Sequence, residues 1–138
     1  MNEPHPETTR EPLNDSTPIS DIEPIEQGGL TPQDREGLRN LVEAPLLDAC
    51  QLLYDKGVKT VFSSANKKDV GRYGSIDIDF ESLSPNNKTI ALRIGKANGI
   101  WGSIPRKGVS IQIPITPQST LGEIREAGLA IAQQFEQQ

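Results

Sequence analysis

The sequence has few of the side chains on which most metal and nucleophilic sites depend. It contains one cysteine, Cys50, and one histidine, His5. A single cysteine excludes a disulfide within the chain, and a zinc site normally draws on several cysteine and histidine ligands. Because His5 lies near the N-terminus, outside the predicted domain, histidine-based catalysis inside that domain is excluded as well. Cys50 falls within an apolar helical pattern and is predicted to be a small core residue.

Long apolar runs and aromatic side chains are also scarce. Hydrophobic residues make up 34% of the chain and aromatic residues 4%. No run approaches the roughly 18 consecutive apolar residues of a membrane-spanning helix. The N-terminus has no basic segment followed by an apolar one, so no secretory signal is expected. The sequence therefore predicts a soluble, cytoplasmic protein without membrane association.

The N-terminal segment is instead rich in proline and acidic residues. Residues 1–30 hold five of the 11 prolines and seven of the 19 acidic side chains. The apolar residues there are few and follow no period, so they bury too little surface to offset the entropy of ordering. This segment is predicted to be a disordered acidic, proline-rich tail, with Gly28 and Gly29 as the hinge. Residues 31–138 suffice for a single domain with its own core.

Three helical regions are predicted from their start signals. Thr31-Pro32 places a hydroxyl at the N-cap and a proline in the first turn, and an apolar pattern of helical spacing follows as far as Gly57. Pro45 interrupts this pattern, so either the helix kinks there or two helices meet. Ser84-Pro85 repeats the same start, and Thr120 begins a capping box for the last helix.

Strands are predicted over residues 59–63, 75–80 and 109–113, where β-branched residues occur or apolar and polar residues alternate. Residues 95–107 are glycine-rich and predicted to be irregular, with at most one short extra strand. Pro114 favours an edge or end position for the last strand. The order α-β-β-α-β-α predicts an α+β fold. It is a two-layer sandwich with a three- or four-stranded, mostly antiparallel sheet and helices on one face.

Two carboxylates, Asp77 and Asp79, occupy alternate positions of the second predicted strand. Alternate strand residues share a face, so their Cα atoms lie about 6.5–7 Å apart. Carboxylate oxygens are ligands that Mg²⁺ prefers, and a metal held there would bind a phosphate. The stretch Val-Phe-Ser-Ser over 61–64, followed by Asp-Ile-Asp-Phe over 77–80, resembles the core of minimal nucleotidyltransferases. In that family a Gly-Ser pair ends one strand and Asp-x-Asp follows on the next. The resemblance implies a degenerate nucleotidyltransferase-like domain that holds Mg²⁺ and a nucleotide.

The sequence also departs from that pattern. Ser63 stands where the family has its glycine. The next predicted strand offers Ser110 and Gln112 where the family has a third carboxylate. The alternative interpretation is that Asp77 and Asp79 form the solvated face of a one-sided sheet. The sequence favours this alternative, under which no cofactor is predicted.

Charge is distributed unevenly along the chain. Residues 1–54 have 3 basic and 11 acidic side chains, residues 55–107 have 10 and 5, and residues 108–138 have 1 and 3. The basic middle contains two segments that favour binding of an anionic partner. The candidate ligand-binding residues are Lys67, Lys68, Arg72 and Tyr73 in the first segment, and Arg93, Lys96, Trp101, Arg106 and Lys107 in the second.

These observations leave three classes of function. The first is a small non-catalytic binding or regulatory domain whose basic segments contact an anionic or protein partner, with the acidic tail as a tether or internal competitor. If both segments leave the same end of the sheet, they form one cationic rim around Trp101, as in sites for single-stranded nucleic acid. The second is the nucleotidyltransferase-like domain, and the third is a structural or assembly subunit that pairs through its sheet. Because no catalytic constellation is present, the first is favoured, with a protein partner expected and nucleic acid or nucleotide as the alternative.

Overall fold

The computed structural model describes residues 12–26, 34–101 and 104–138, with only the backbone described between residues 96 and 107. Its helices are α1 (Leu38–Leu41), α2 (Ala44–Asp55), α3 (Pro85–Ile94) and α4 (Leu121–Gln133). Its strands are β1 (Thr60–Ser64), β2 (Arg72–Asp79), β3 (Lys96–Trp101) and β4 (Ile104–Ile115). Short 3₁₀ turns lie at Ile19–Asp21, Lys67–Asp69 and Phe80–Ser82. No helix in these parts of the chain has the length and apolar character needed to cross a lipid bilayer.

The helices begin where proline and hydroxyl side chains favour a start. Pro45 lies in the first turn of α2, so the interruption of the long helical pattern is the junction between α1 and α2. Ser84 caps α3 by accepting a backbone N–H, and Thr120 opens α4 with the predicted capping box. Gly57, at φ +80°, follows α2 in the left-handed conformation that favours glycine. The predicted start at Thr31-Pro32 lies outside the described residues.

The four strands form one antiparallel sheet in the order β1-β2-β4-β3. On one face, Ile76 and Ile78 of β2 pair with Ile111 and Val109 of β4, and all four side chains are buried. The helices cover this face and complete the core, whereas the other face carries polar alternates such as the exposed Gln112. The predicted α+β sandwich with helices on one face of an antiparallel sheet is confirmed.

The glycine-rich segment after α3 differs from its prediction. Residues expected to be irregular form a β3–β4 hairpin, in which Lys96 pairs with Ser110 and Trp101 with Ile104. The pairing shifts register around Gly99. Glycine weakens strand propensity and is common at such irregularities. The glycine-rich composition therefore indicated at most one short strand here, whereas the segment forms a full hairpin.

Pro114 lies near the end of β4, opposite Tyr73 of β2. In the strand order β4 is interior, but its pairing with β3 reaches no further than Ser110. Beyond that point the β3 side of β4 has no strand partner, so the N–H that proline lacks is not required there. The predicted end position of Pro114 is confirmed.

Gly128 brings α4 close to α2. A Cβ atom at this position would lie 3.0 Å from Cδ2 of Leu46 and 3.1 Å from Cβ of Ala49. The side-chain-free position allows two helices of the same layer to approach each other.

Residues 12–26 form an N-terminal arm that packs on the domain. Ile19 is 0% exposed and Ile22 is 4% exposed, so both belong to the core. Pro18 forms an antiparallel bridge with Thr120, at the loop that leads into α4. The arm is therefore attached by both side-chain burial and backbone pairing.

This arm corrects the prediction that residues 1–30 form a disordered tail. Isoleucines scattered among prolines and acidic residues follow no period, so the sequence gives no sign that two of them are core residues. Their burial, the backbone bonds to the loop before α4, and an ion pair between Asp15 and Arg125 offset the entropy of ordering. Residues 1–11 and 27–30 lie outside the described part of the chain.

A buried amide on α3 holds the C-terminal residues. Asn87 is 0% exposed. Its Nδ2 donates to the carbonyl oxygen of Glu136 at 2.9 Å and to Oε1 of Gln138 at 2.8 Å. Its Oδ1 accepts the N–H of Glu136 at 2.8 Å. The last residues are thereby fixed to the helical layer.

We expect Asn87→Ala to lower the free energy of unfolding by about 1–3 kcal/mol, because it leaves backbone groups of Glu136 without partners. Urea denaturation followed by far-UV circular dichroism measures this change. Asn86→Ala is the matched control, since Asn86 is exposed and its bond to Oε1 of Glu136 is 3.3 Å long. Equal losses in the two variants would contradict the role given to Asn87.

Candidate functional site

The first basic segment and the tip of the β3–β4 hairpin lie at opposite ends of the sheet. The segment between β1 and β2 is next to the C-terminal end of β4, where Arg72 pairs with Ile115 and the N–H of Gly71 donates to the Ile115 carbonyl oxygen at 2.8 Å. The β3–β4 hairpin turns at the other end, where Trp101 pairs with Ile104. The 12 residues of β4 lie between them. At about 3.3 Å per residue, the separation is roughly 35 Å.

The nine candidate residues therefore do not form one cationic rim. Four of them remain together at the β1–β2 end, and we call this group the basic corner: Lys67, Lys68, Arg72 and Tyr73. Arg93 lies in the last turn of α3, where its Nη2 donates to Oε1 of Gln134 at 3.3 Å. The other four belong to the β3–β4 hairpin, of which only the backbone is described: Lys96, Trp101, Arg106 and Lys107.

Side-chain hydrogen bonds fix the turn that carries the basic corner. Oδ1 of Asn66 accepts the N–H of Lys68 at 2.9 Å. Oδ2 of Asp69 accepts the N–H of Asn66 at 3.0 Å and the hydroxyl of Ser64 at 2.7 Å. Gly71, at φ +80°, then reverses the chain into β2. The turn has a defined geometry before any partner binds.

Glu43 lies beneath this turn and is only 3% exposed. Its Oε1 accepts the N–H of Ala65 at 2.8 Å. Its Oε2 accepts the N–H of Ile25 at 2.8 Å and Nδ2 of Asn66 at 3.2 Å. One carboxylate therefore joins the arm, the start of α2 and the β1–β2 turn.

The sequence gives little indication of this role for Glu43. It is one of 19 acidic side chains. Its backbone partners Ile25 and Ala65 lie 18 and 22 positions away. The one local signal is Pro45 in the first turn of α2, which marks Glu43 as the N-cap. An N-cap side chain commonly accepts from its own helix, whereas Glu43 accepts from other segments.

The basic corner presents two cations and an aromatic ring to solvent. Lys68 and Arg72 are exposed, and Tyr73 is 53% exposed. None of these three side chains makes an ion pair or hydrogen bond with a described residue. Lys67 differs, because its Nζ lies 3.0 Å from Oε1 of Glu23 in the arm. Part of the corner is thus already occupied and part is open.

An open groove adjoins the basic corner. Its volume is about 1120 Å³, and it lies between the arm and helices α1 and α2. Leu13 and Ile25 line it from the arm, Arg39 and Leu47 from the helices, and Lys67 from the corner. The groove combines apolar surface with two cations and three carboxylates, so its lining has mixed charge.

Asp77 lies on the sheet face away from the helices, yet it is only 3% exposed. Burial raises the pKa of this carboxyl above its usual value, and hydrogen bonds from the hydroxyls of Ser110 and Ser75 act in the opposite direction. Its Oδ1 has no hydrogen-bond partner. Asp79, two residues further along β2, is half-buried. The two predicted carboxylates therefore differ in environment.

The remaining parts of a nucleotidyltransferase site do not assemble around Asp77. Ser63 faces the core and hydrogen-bonds the thiol of Cys50, whose pKa burial raises to about 12. Ser110 occupies the β4 position opposite Asp77. No group of three or more His, Cys, Asp or Glu side chains that could hold a metal occurs among the described residues. The donor set does not fit the Mg²⁺ site that the sequence resemblance implies.

The chain was also compared with known proteins. No protein-family model, curated protein or solved structure matches it. The function therefore has to be inferred from the surface that the chain itself presents.

We expect Asp77→Asn to change how stability depends on pH. With a raised pKa, folded Asp77 binds more protons than the unfolded chain between the ordinary value of 3.8 and the raised one. Stability contributed by the protonated carboxyl is therefore lost as the pH rises through this range. The asparagine in the variant does not titrate, so the variant does not lose this stability. The free energy of unfolding of the variant minus that of the wild type should therefore rise as the pH is raised from about 4 to 7.

Urea denaturation at several pH values measures this difference. Asp79→Asn is the matched control, because it removes a half-buried carboxylate from the same strand and face. A difference between Asp77→Asn and wild type that stays constant with pH would contradict the expectation.

We expect Glu43→Gln to destabilise the fold by about 1–3 kcal/mol, because an amide replaces one acceptor oxygen among N–H donors. Hydrogen exchange should also accelerate at the amides of Ile25 and Ala65. Glu36→Gln is the control, since Glu36 is exposed and its ion pair with Arg39 spans 3.5 Å. Unchanged exchange at both amides would refute the role of Glu43.

Proposed function

We propose that this protein is a non-catalytic binding module that contacts an acidic segment of a partner protein through its basic corner. The observation that carries the proposal is that Lys68, on a fixed turn, and Arg72 and Tyr73, at the start of β2, are exposed and make no ion pair or side-chain hydrogen bond with a described residue. A turn ordered before binding avoids part of the entropy that association otherwise costs. The proposal includes the cytoplasmic location expected from the sequence.

The chemistry of the corner suits carboxylates. The guanidinium of Arg72 offers a planar fork that matches a carboxylate, and Lys68 adds a second positive charge. Tyr73 offers an apolar ring with a hydroxyl at its tip, a combination that is enriched at protein interfaces.

The charge of the whole chain favours an acidic peptide segment over a nucleic acid. The net charge is −5, which repels a long polyanion. Tight nucleic-acid binding requires many phosphate contacts along an extended basic surface. Here the second basic segment starts in α3 and at the middle of β4 and runs away from the corner to the far end of that strand, so the two segments do not form one continuous surface. A few carboxylates on a short segment need only a local patch of positive charge.

The test uses ¹⁵N–¹H correlation spectra of the full chain, titrated at low salt with a ten-residue polyglutamate peptide. We expect shift changes to concentrate between residues 65 and 73 and to weaken as salt is added. Lys68→Ala and Arg72→Ala should each weaken binding roughly two- to fivefold. Lys59→Ala is the matched control, because Lys59 is exposed and precedes β1 at the opposite end of that strand.

Two results would overturn this proposal. One is an equal loss of affinity in Lys59→Ala, which would show a response to net charge and no specific site. The other is tighter binding of a ten-nucleotide oligothymidylate than of the peptide at the same resonances, which would favour a nucleic-acid partner.

A further inference from the structure

The acidic end of the N-terminal arm already lies against the basic corner. The carbonyl oxygen of Ile22 accepts the N–H of Lys67 at 2.9 Å. The carboxylate of Glu23 lies 3.0 Å from Nζ of Lys67. The N–H of Ile25 donates to Glu43, the carboxylate that also holds the turn. An extended acidic segment is thus bound here through both its backbone and its side chain.

From these contacts we infer that residues 23–26 are a resident ligand of the basic corner, and that the acidic segment of a partner binds in competition with them. This inference rests on the proposed function, and it adds the form of the ligand and the regulation of the site. The ligand class is an extended peptide with a carboxylate side chain, because that is how Glu23 engages Lys67. Binding of the partner displaces the arm locally.

The arm is held firmly at one end and weakly at the other. Ile19 and Ile22 are buried in the core, so this part stays attached. The side chains of Glu23 and Lys67 are 63% and 45% exposed, and exposed ion pairs contribute little stability. Pro24 follows Glu23 and lacks an N–H with which to strengthen the contact. Within the described chain, the polar contacts of residues 23–26 are this ion pair and the bond from the N–H of Ile25 to Glu43, so these residues can leave the corner while the rest of the arm remains packed.

Departure of the arm also changes the environment of the turn. Oε2 of Glu43 is shared between the N–H of Ile25 and Nδ2 of Asn66. When Ile25 leaves, that oxygen retains only the longer of these two bonds, at 3.2 Å. Asn66 in turn holds the N–H of Lys68. The state of the arm is therefore transmitted to the residues that meet the partner.

Tethering makes even a weak internal ligand effective. Segments of one chain that are joined by a few residues reach effective concentrations in the millimolar range. A free peptide must compete with that concentration, so the arm lowers the apparent affinity for the partner. If the Glu23–Lys67 pair is typical of exposed pairs, its loss should raise the affinity roughly two- to fivefold.

The test compares Glu23→Gln with Glu26→Gln in the full chain. Both variants remove one negative charge from the arm, but Glu26 is exposed and makes no hydrogen bond or ion pair with a described residue. Each is titrated with the ten-residue polyglutamate peptide at low salt and followed by ¹⁵N–¹H spectra. We expect Glu23→Gln to bind roughly two- to fivefold more tightly than Glu26→Gln. Before any peptide is added, it should also shift the amides of Lys67 and Asn66.

The possible failures are distinguishable. Equal affinities of the two variants, with peptide still bound at the basic corner, would overturn the competition by the arm and leave the proposed function standing. No peptide binding by the wild type or by either variant would overturn the proposed function, and the inference with it.

Discussion

The carboxylate of Glu43 is the point at which the arm, the helical layer and the β1–β2 turn meet. Burying an ionised carboxylate costs several kcal/mol unless hydrogen bonds replace the lost water. Here the N–H groups of Ile25 and Ala65 and the amide of Asn66 supply them. If any one of these groups moves away, the buried carboxylate or a buried donor loses a hydrogen bond. The position of the basic corner relative to the domain follows from this constraint.

A second buried carboxylate, Asp77, shows that the energetic effect of burial depends on the hydrogen-bond donors around the carboxylate. Asp77 and Glu43 are both 3% exposed. Glu43 has a donor for each oxygen, whereas Oδ1 of Asp77 has none and its remaining partners are serine hydroxyls. Buried polar groups are usually satisfied, so the unpaired oxygen is an energetic cost. At equal burial, Glu43 therefore links three segments through its hydrogen bonds, whereas Asp77 keeps one oxygen without a donor among the described residues.

Local sequence signals predicted most of the helices and strands, but none of the contacts between segments that are distant in sequence. The Ser84-Pro85 start, the Thr120 capping box and the alternation of β2 and β4 depend on neighbours in sequence, and the structure has all of them. The burial of Ile19 and the bonds of Glu43 depend on segments that only the fold brings together. The same limit applies to the candidate site. Its members were identifiable by charge, but their division between two ends of the sheet depends on strand order and register.

The uneven distribution of charge along the sequence accounts for both the basic corner and the acidic arm that contacts it. Residues 1–54 carry 11 acidic and 3 basic side chains, whereas residues 55–107 carry 5 and 10. Because both parts belong to one chain, the acidic part is present at the basic part at a high effective concentration, with which a free partner must compete. The Glu23–Lys67 pair is the described contact in which the two parts meet at the corner. Under the proposed function, an acidic partner meets a corner that Glu23 already contacts, and its affinity depends on how weakly the arm is held there.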